Sequence, residues 1–507
     1  MEFRYVTGLP LTYELFSKHI LLPMMIERGI LPSQAEVQTR LEILKDLELI
    51  VKKWIMAVGE RKGMRNLSAL VVPYGSYGLQ VFTGSSDMDI SVIAPAGASM
   101  ESDFFMHLHD LIETIPHIKN LTSVRRAKVP LLKFSVRGVD VDLACVRLKT
   151  NDMPTAKFHH PAREATPEFD DQVDKLLGLP AERRKSYILT TKENLWAAGL
   201  RLTDPTMSES GILWEQEFCI SAVANESSRL TLESVKSNLT IFECLQANSE
   251  NFVQATRFLK YWASRRGIYG NINCYIGGVH LVVMVASVCQ LYRVASFAWV
   301  ISSFFNTFSQ WSWDMPVMLH GENVCSSRAV YMAIQKPGTD TVCSSNVTPT
   351  TLARIRDELQ RGYELTRLLS HDWSSLLDEF CYEEVYGRFV KVRISGGDDE
   401  IDIWMGLVKS RIYLLIQLLE ANGILCDPNL IEFRDLSSRG SIDCKDDNRV
   451  FLWGIVDDTG EKYNLTGSEE SWRHNLTVGG LKGQVKLAVI PRMVYCNYKR
   501  HNLVKRT

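Results

Sequence analysis

Between Tyr74 and Val92 the chain reads YGSYGLQVFTGSSDMDISV, and this stretch limits the possible folds more than any other. Side chains alternate faces along a strand. Asp87 and Asp89 therefore point one way, while Met88 and Ile90 point into a core. Gly75 and Ser76 precede the pair. A glycine lets backbone approach a phosphate closely, and a serine hydroxyl can donate to one. Further on, an apolar run at Val129–Val136 turns at Arg137-Gly138 and returns as Val139–Val146, the pattern of a tight hairpin. The returning strand carries Asp140 and Asp142 on one face, and periodicity alone allows either to join the first two acids.

A lone D-x-D is a weak signal, because solvated acidic turns produce it often. A Gly-Ser turn and a third acidic strand change its meaning. Mg²⁺ is a hard ion that takes carboxylate and phosphate oxygens. A two-metal site stabilises both the attacking and the leaving oxygen of an in-line displacement. Three carboxylates on neighbouring strands, beside a small phosphate-binding turn, predict nucleotidyl transfer.

The rest of the chain frames that module. Its 507 residues exceed one compact core and predict two to three domains. Net charge is −2, so any RNA track must be local rather than global. The eleven cysteines include no C-x-x-C pair, which gives no support to a zinc site and suggests a reducing compartment. The longest apolar run, Val279–Val294, is interrupted by His280, Gln290 and Arg293 and predicts a buried helix, with no membrane partner. Leu41, Leu44, Leu47, Ile50, Val51, Trp54, Ile55 and Val58 space out an amphipathic helix over 36–58. Short strands with a helix near 101–115 follow over 68–147, and helical periodicity returns over 240–305. From 386 onward the order is strand, helix, strand, strand, short helix, strand, a β-α-β-β-α-β unit.

The sequence G-S, D-M-D, then V-P-L-L-K-F…G-V-D-V-D-L resembles the polymerase-β-type nucleotidyltransferases, and more narrowly the eukaryotic nuclear poly(A) polymerases. The resemblance continues through Phe258–Asn271, Tyr275–Val279, Phe304–Val317 and Trp404–Glu420. It implies an α/β plus α architecture of three domains. Residues 1–60 would be N-terminal helices packing with the middle domain, 61–152 the catalytic domain, and 153–213 a charged insertion longer than the family's linker. Residues 214–355 would form the helical middle domain and 356–507 an RRM-like α+β domain. The central strand of that last domain, Val450–Val456, lacks the aromatic RNA-reading pattern and reads foremost as a core strand.

By the same resemblance the catalytic and metal-holding residues are Asp87, Asp89 and Asp142, the second acid of the third strand. Gly75, Ser76, Val129, Lys260, Tyr269, Asn271, Gly278 and Val279 would contact nucleotide, and Asn225 the RNA primer. Lys128 stands where the family usually has Phe, which removes an aromatic from the expected base pocket. The implied activity is transfer of AMP from ATP to RNA 3′ ends with two Mg²⁺ or Mn²⁺ ions. Implied partners are RNA and the cleavage-and-polyadenylation factors, and the implied location is nuclear. The rivals are a terminal uridylyltransferase of the same superfamily and an inactive RNA-processing scaffold.

Overall fold

A computed structural model describes residues 11–125, 127–151, 223–245, 249–292, 296–319, 330–396, 401–429, 431–435, 448–476 and 483–503. The expected insertion at 153–213 lies outside them.

The acidic strands belong to a five-stranded sheet of order β1-β2-β5-β4-β3: β1 (Leu70–Tyr74), β2 (Met88–Ala94), β3 (Lys119–Val124), β4 (Leu131–Val136) and β5 (Val139–Arg147). The β4–β5 hairpin turns where expected, with Arg137 and Gly138 at φ +52° and +79°. Two positive φ values give the turn a twist that matches the strands it joins. Helix α1 (Leu22–Glu27) precedes α2 (Gln34–Lys62), which opens on a Ser33/Glu36 capping box and ends at left-handed Gly63. Val37, Leu44, Leu47, Val51, Trp54 and Val58 of α2 share a core with Met88, Ile90, Leu132, Phe134, Val141 and Leu143 of the sheet.

The N-terminal 60 residues therefore do not act as one unit. Leu21, Leu22 and Met25 enter the middle-domain core, but α2 covers the catalytic sheet, whose apolar face would otherwise meet water. Each fully buried aliphatic side chain contributes about 1.5–3 kcal/mol to such a contact.

The middle region is built from α4 (Glu226–Leu245), α5 (Ser249–Arg265), α6 (Gly278–Leu291), α7 (Phe297–Ser309) and α8 (Pro349–Thr366). Trp262 of α5 packs edge-on against Phe305 of α7, with ring centroids 4.9 Å apart. Helix α4 belongs to both regions. Its Leu232 and Val235 pack on Val72, Ile93, Val146 and Leu148 behind the catalytic sheet. Its Ile241, Phe242 and Leu245 enter the helical core. The helix thus fixes the catalytic sheet against the helical bundle and forms the floor between them.

The C-terminal sheet has order β10-β6-β9-β7, with β8 also on β9: β6 (Arg388–Gly396), β7 (Cys426–Asp427), β8 (Phe433–Arg434), β9 (Arg449–Ile455) and β10 (Gly483–Pro491). Counted within the unit this is the fourth-first-third-second order of the expected β-α-β-β-α-β fold. Phe451, Trp453 and Ile455 of β9 pack with α9 (Ile401–Ser410), α10 (Ile412–Ala421) and α11 (Thr466–Leu476). Val450 and Leu452 face the other way, under α12 (Arg492–Leu503), whose Tyr495 stacks on Phe389 at 4.2 Å. Both faces of β9 are buried, so the strand is a core strand. Buried Asp427 accepts hydrogen bonds from Tyr386 Oη at 2.6 Å and from Tyr275 Oη, which ties this unit to the middle region.

Candidate active site

Strand pairing assembles the acidic cluster. Beta-strands β2 and β5 run parallel with Asp89 level with Asp142, and β1 pairs Tyr74 with Asp89. Asp87 stands just before β2, on the same face as Asp89. One carboxylate oxygen from each of Asp87, Asp89 and Asp142 lies within 4.8 Å of the others. Burial, and then repulsion from Asp87 and Asp142, pushes the Asp89 carboxyl up to about 7. Asp87 is raised as well, by partial burial and by Asp142. The buried phenol of Tyr74 is raised by its burial and by the same three carboxylates. Lys133, level with Asp142 across the hairpin, donates to Asp142 Oδ2 at 2.7 Å. Asp140, the alternative that periodicity allowed, accepts a hydrogen bond from Ser135 Oγ instead.

Helix α3 (Gly75–Gly78) is the turn that carries Gly75 and Ser76. Gly75 has φ +61°, and a Cβ placed on it would overlap the Asp89 carboxylate. Asn238 of α4 donates to Gly75 O at 3.2 Å, fastening the turn to the cleft floor. The segment from this turn to Asp87 is gripped from both sides. Arg257 of α5 donates to Gln80 O at 2.8 Å. Arg40 of α2 is buried and donates to Gly84 O at 2.9 Å and Ser86 O at 2.7 Å. Both guanidinium groups also lie over the Phe82 ring, at 5.0 and 5.5 Å.

Across a cleft of about 1150 Å³ stand Lys260, Tyr269, Gly278 and Val279. Lys260 Nζ lies 3.4 Å from Val81 O. Burial lowers its ammonium to about 8 against the opposing pull of Asp87 and Asp89. Burial, with help from Asp87, pushes the Tyr269 phenol up to about 12 and keeps it a hydrogen-bond donor. Gly278 lets that phenol close in, since a Cβ there would stand 3.1 Å from Tyr269 Oη. Gly277 N donates to His280 Nδ1 at 3.0 Å, and His280 Nε2 meets Cys343 O at 2.8 Å. This buried imidazole, held down to about 4 by desolvation, joins the start of α6 to a neighbouring loop.

Three of the expected contact residues are not among those lining the cleft, and Asp142 joins it only through the acidic cluster. Asn225 is the N-cap of α4: its Oδ1 accepts from Ser228 N at 2.9 Å and from Ser227 Oγ at 3.0 Å, a capping role that satisfies an otherwise unpaired helix donor. Asn271 packs its Cβ against Gly277, and its carbonyl accepts from Asn346 Nδ2 at 3.2 Å. Val129 precedes β4 and, like these two, is not among the residues lining the cleft. The sequence did not point to Arg40, Lys133, Asn238, Arg257 or His280. Each acts through backbone groups or one ion pair, and no local pattern marks such a role.

Residues 7–157 match the family model of the poly(A) polymerase nucleotidyltransferase domain, and residues 251–379 that of the poly(A) polymerase central domain. The chain belongs to the poly(A) polymerase family. Nuclear poly(A) polymerase 3 of Arabidopsis thaliana is 29% identical over 91% of this chain and 81% of its own length. Nuclear poly(A) polymerase 1 of the same plant is 26% identical over 96% of this chain, which spans 65% of that relative. A solved structure of a cytoplasmic RNA terminal U-transferase aligns with 73% of this chain and 99% of its own at 14% identity and a TM-score of 0.43.

As a nucleotidyltransferase, this poly(A) polymerase family member handles a nucleoside triphosphate with divalent metal ions. Its carboxylates fit such ions. They are hard oxygen donors crowded together until two of them are raised, and Gly75, lacking a side chain, leaves the room that the Asp89 carboxylate occupies. Among the described residues no helix is long and apolar enough to cross a membrane.

Proposed function

We propose that this chain is a template-independent polynucleotide adenylyltransferase that transfers AMP from ATP to RNA 3′ ends and releases pyrophosphate. The observation that carries it is the cluster of Asp87, Asp89 and Asp142, of which Asp87 and Asp89 line the same cleft as Lys260 and Tyr269. Mg²⁺ or Mn²⁺ would be held by the three carboxylates. Bound there, such ions lower the pKa of the attacking hydroxyl and neutralise charge on the departing pyrophosphate.

The protein's own groups position the reactants. Gly75 offers backbone and Ser76 a hydroxyl to the triphosphate. Lys260 supplies a compact positive charge that gains strength as water leaves the cleft. Tyr269 donates its phenolic hydrogen to the same region, and Gly278 with Val279 opens α6 beside it. The catalytic region and the helical region act as two jaws with α4 as their floor. Closure would bring Lys260 and Tyr269 onto a nucleotide held by Ser76. A nuclear location, RNA as acceptor and association with cleavage-and-polyadenylation factors belong to the same proposal, supported by the names of the relatives. The C-terminal unit would serve as a packing domain, since helices cover both faces of its central strand.

The test is primer extension. The purified chain, an oligo(A) primer, Mg²⁺ or Mn²⁺ and each nucleotide in turn should give AMP addition above the other three. Asp142→Ala should abolish incorporation with the fold retained. Preference for UTP would replace adenylyl by uridylyl transfer, and no turnover with either ion would leave an RNA-processing scaffold.

A further inference from the structure

The helical side of the cleft is fastened to the C-terminal unit at two neighbouring residues. Cys274 and Tyr275 are fully buried and lie in the segment between α5 and α6. Cys274 joins the apolar core of the C-terminal unit, with Val390, Ile416 and Trp453. It does so at φ +63°, a left-handed conformation that non-glycine residues seldom adopt. Tyr275 Oη donates to Oδ1 of Asp427, the buried second residue of β7. Tyr386 Oη donates to Oδ2 of the same carboxylate at 2.6 Å, and Arg354 Nε of α8 donates to Oδ2 at 3.3 Å. A charge is tolerated in such a place only when it is paired and hydrogen-bonded. Asp427 thereby joins three elements: the segment before α6, α8 and the approach to β6.

From Tyr275 the path to the cleft is short. Tyr275 N donates to Gly270 O at 3.2 Å, Gly270 N to Ile276 O at 2.8 Å and Ile276 N to Ile268 O at 3.2 Å. These bonds close residues 268–276 into one loop, and Ile276 forms an isolated parallel bridge with Tyr269. Gly277 and Gly278 follow directly, and a Cβ on Gly278 would stand 3.1 Å from Tyr269 Oη. Tyr269, Gly278 and Val279 line the cleft, whereas Tyr275 and Asp427 are not among its lining residues. A shift of the Tyr275 ring carries Ile276 with it, and the Tyr269 phenol and the opening of α6 then move as well.

We infer that Asp427 is a positioning residue for nucleotide transfer: from the C-terminal unit it fixes Tyr275, and through Tyr275 the placement of the Tyr269 phenol against the triphosphate. Asp427 touches no reactant. Its effect passes through the hydrogen-bonded loop of residues 268–276. Tyr386 shares the carboxylate but belongs to the approach to β6, so its bond anchors Asp427 without reaching that loop. The C-terminal unit then does more than pack, because it sets how well the cleft holds its nucleotide. This role rests on the triphosphate contact of Tyr269 in the function proposed above.

The experiment uses the full chain and compares wild type with Tyr275→Phe, Asp427→Asn, Tyr386→Phe, Tyr269→Phe and the double variant of Tyr275→Phe with Tyr269→Phe. kcat and KM are measured for ATP and for an oligo(A) primer with Mg²⁺ or Mn²⁺, alongside thermal unfolding. Tyr275→Phe and Asp427→Asn should raise the KM for ATP at least about 5-fold, as expected for a displaced binding group, with the KM for primer unchanged. Tyr386→Phe removes one bond from the same carboxylate and should leave the KM for ATP near the wild-type value, even where its melting temperature falls as far. In the Tyr269→Phe background, Tyr275→Phe should add almost nothing, because residues that act through one another are not additive. If Asp427→Asn does not fold, Tyr275→Phe, which keeps the ring, decides. Equal changes in Tyr275→Phe and Tyr386→Phe would make Asp427 a support of the fold and overturn the inference, as would effects of Tyr275→Phe and Tyr269→Phe that multiply. A wild type that does not use ATP, or a Tyr269→Phe variant with the wild-type KM for ATP, would instead overturn the function proposed above, and this inference with it.

Discussion

Gly75 and Asp89 are in van der Waals contact at a spot where no other residue fits. The glycine has φ +61°, and the volume a Cβ would take is filled by the Asp89 carboxylate. Gly75→Ala therefore meets two obstacles. A left-handed conformation costs an L-residue about 1–2 kcal/mol, and Asp89 must move away from Asp87 and Asp142. A catalytic group displaced by about 1 Å can cost about 100-fold in rate. Single-turnover measurements on Gly75→Ala should show a rate loss of at least that order with a modest fall in melting temperature. A near-normal rate would show that Asp89 does not need its present position.

The metal-free carboxylate cluster should work against stability. The folded state holds Asp89 at about 7, above the 3.8 of a free side chain. A raised carboxyl binds its proton more tightly when folded, so the metal-free protein gains stability from this group as pH falls from about 7 toward 4. Asp89→Asn mimics the protonated form. At pH 8 without metal its apparent melting temperature should exceed that of wild type, by a contribution of about 1–3 kcal/mol. Adding Mn²⁺ should raise the wild-type melting temperature and leave Asp89→Asn nearly unmoved, while the variant has lost activity.

The pH profile of kcat/KM for nucleotide should be a narrow bell. On the acid side Asp89 takes up a proton near 7 and metal must compete for the site. On the alkaline side Lys260 loses its proton near 8 and with it the charge that meets the triphosphate. Excess metal should push the acid limb to lower pH. Lys260→Arg, charged throughout the range, should push the alkaline limb to higher pH at some cost in rate. An alkaline limb that stays in place in this variant would remove Lys260 from the assignment.

The acidic strands, their hairpin and the C-terminal strand order were legible because each depends on a local period. Alternation puts Asp87 and Asp89 on one face, and the Arg137-Gly138 turn fixes the register of Asp142. What escaped depends on distant pairs. The destination of α2 could not be read, because its apolar stripe fits a sheet as well as it fits a bundle. Asn225, expected at the RNA primer, also caps α4, and a cap is marked only by where the next helix begins. Arg40 lies 46 positions in sequence from the Ser86 carbonyl that it meets, and periodicity carries no record of such a contact.

His280 should make the protein sensitive to acid. Its folded value is held down to about 4, against 6.5 for a free imidazole. A depressed histidine contributes stability that is complete above about 6.5 and is lost as pH falls toward 4, because the unfolded chain takes up the proton first. His280→Ala would flatten that dependence and leave Gly277 N–H and Cys343 C=O without this partner. The expected cost is about 2–3 kcal/mol at neutral pH, read as a lower denaturation midpoint. His280→Gln should recover part of the stability but not the acid dependence.

Arg40 is the test of whether the metal-holding loop is shaped from outside the catalytic sheet. Nη2 of its guanidinium meets the carbonyls of Gly84 and Ser86, one residue before Asp87, from a helix that also brings Glu36 to the cleft lining. Both bonds come from one nitrogen, Nη2, while Nη1 donates to Glu36 O at 3.3 Å, and a lysine has no second nitrogen to anchor its charge in this way. Arg40→Lys should fold, lose about 1–3 kcal/mol, and need several-fold more Mn²⁺ for half-maximal activity, with the KM for primer unchanged. Arg40→Met should lose more stability and raise the Mn²⁺ requirement further, since two buried carbonyls then lack this donor. An unaltered Mn²⁺ requirement in Arg40→Lys, alongside the same loss of stability, would reduce Arg40 to a support of the fold with no bearing on Asp87.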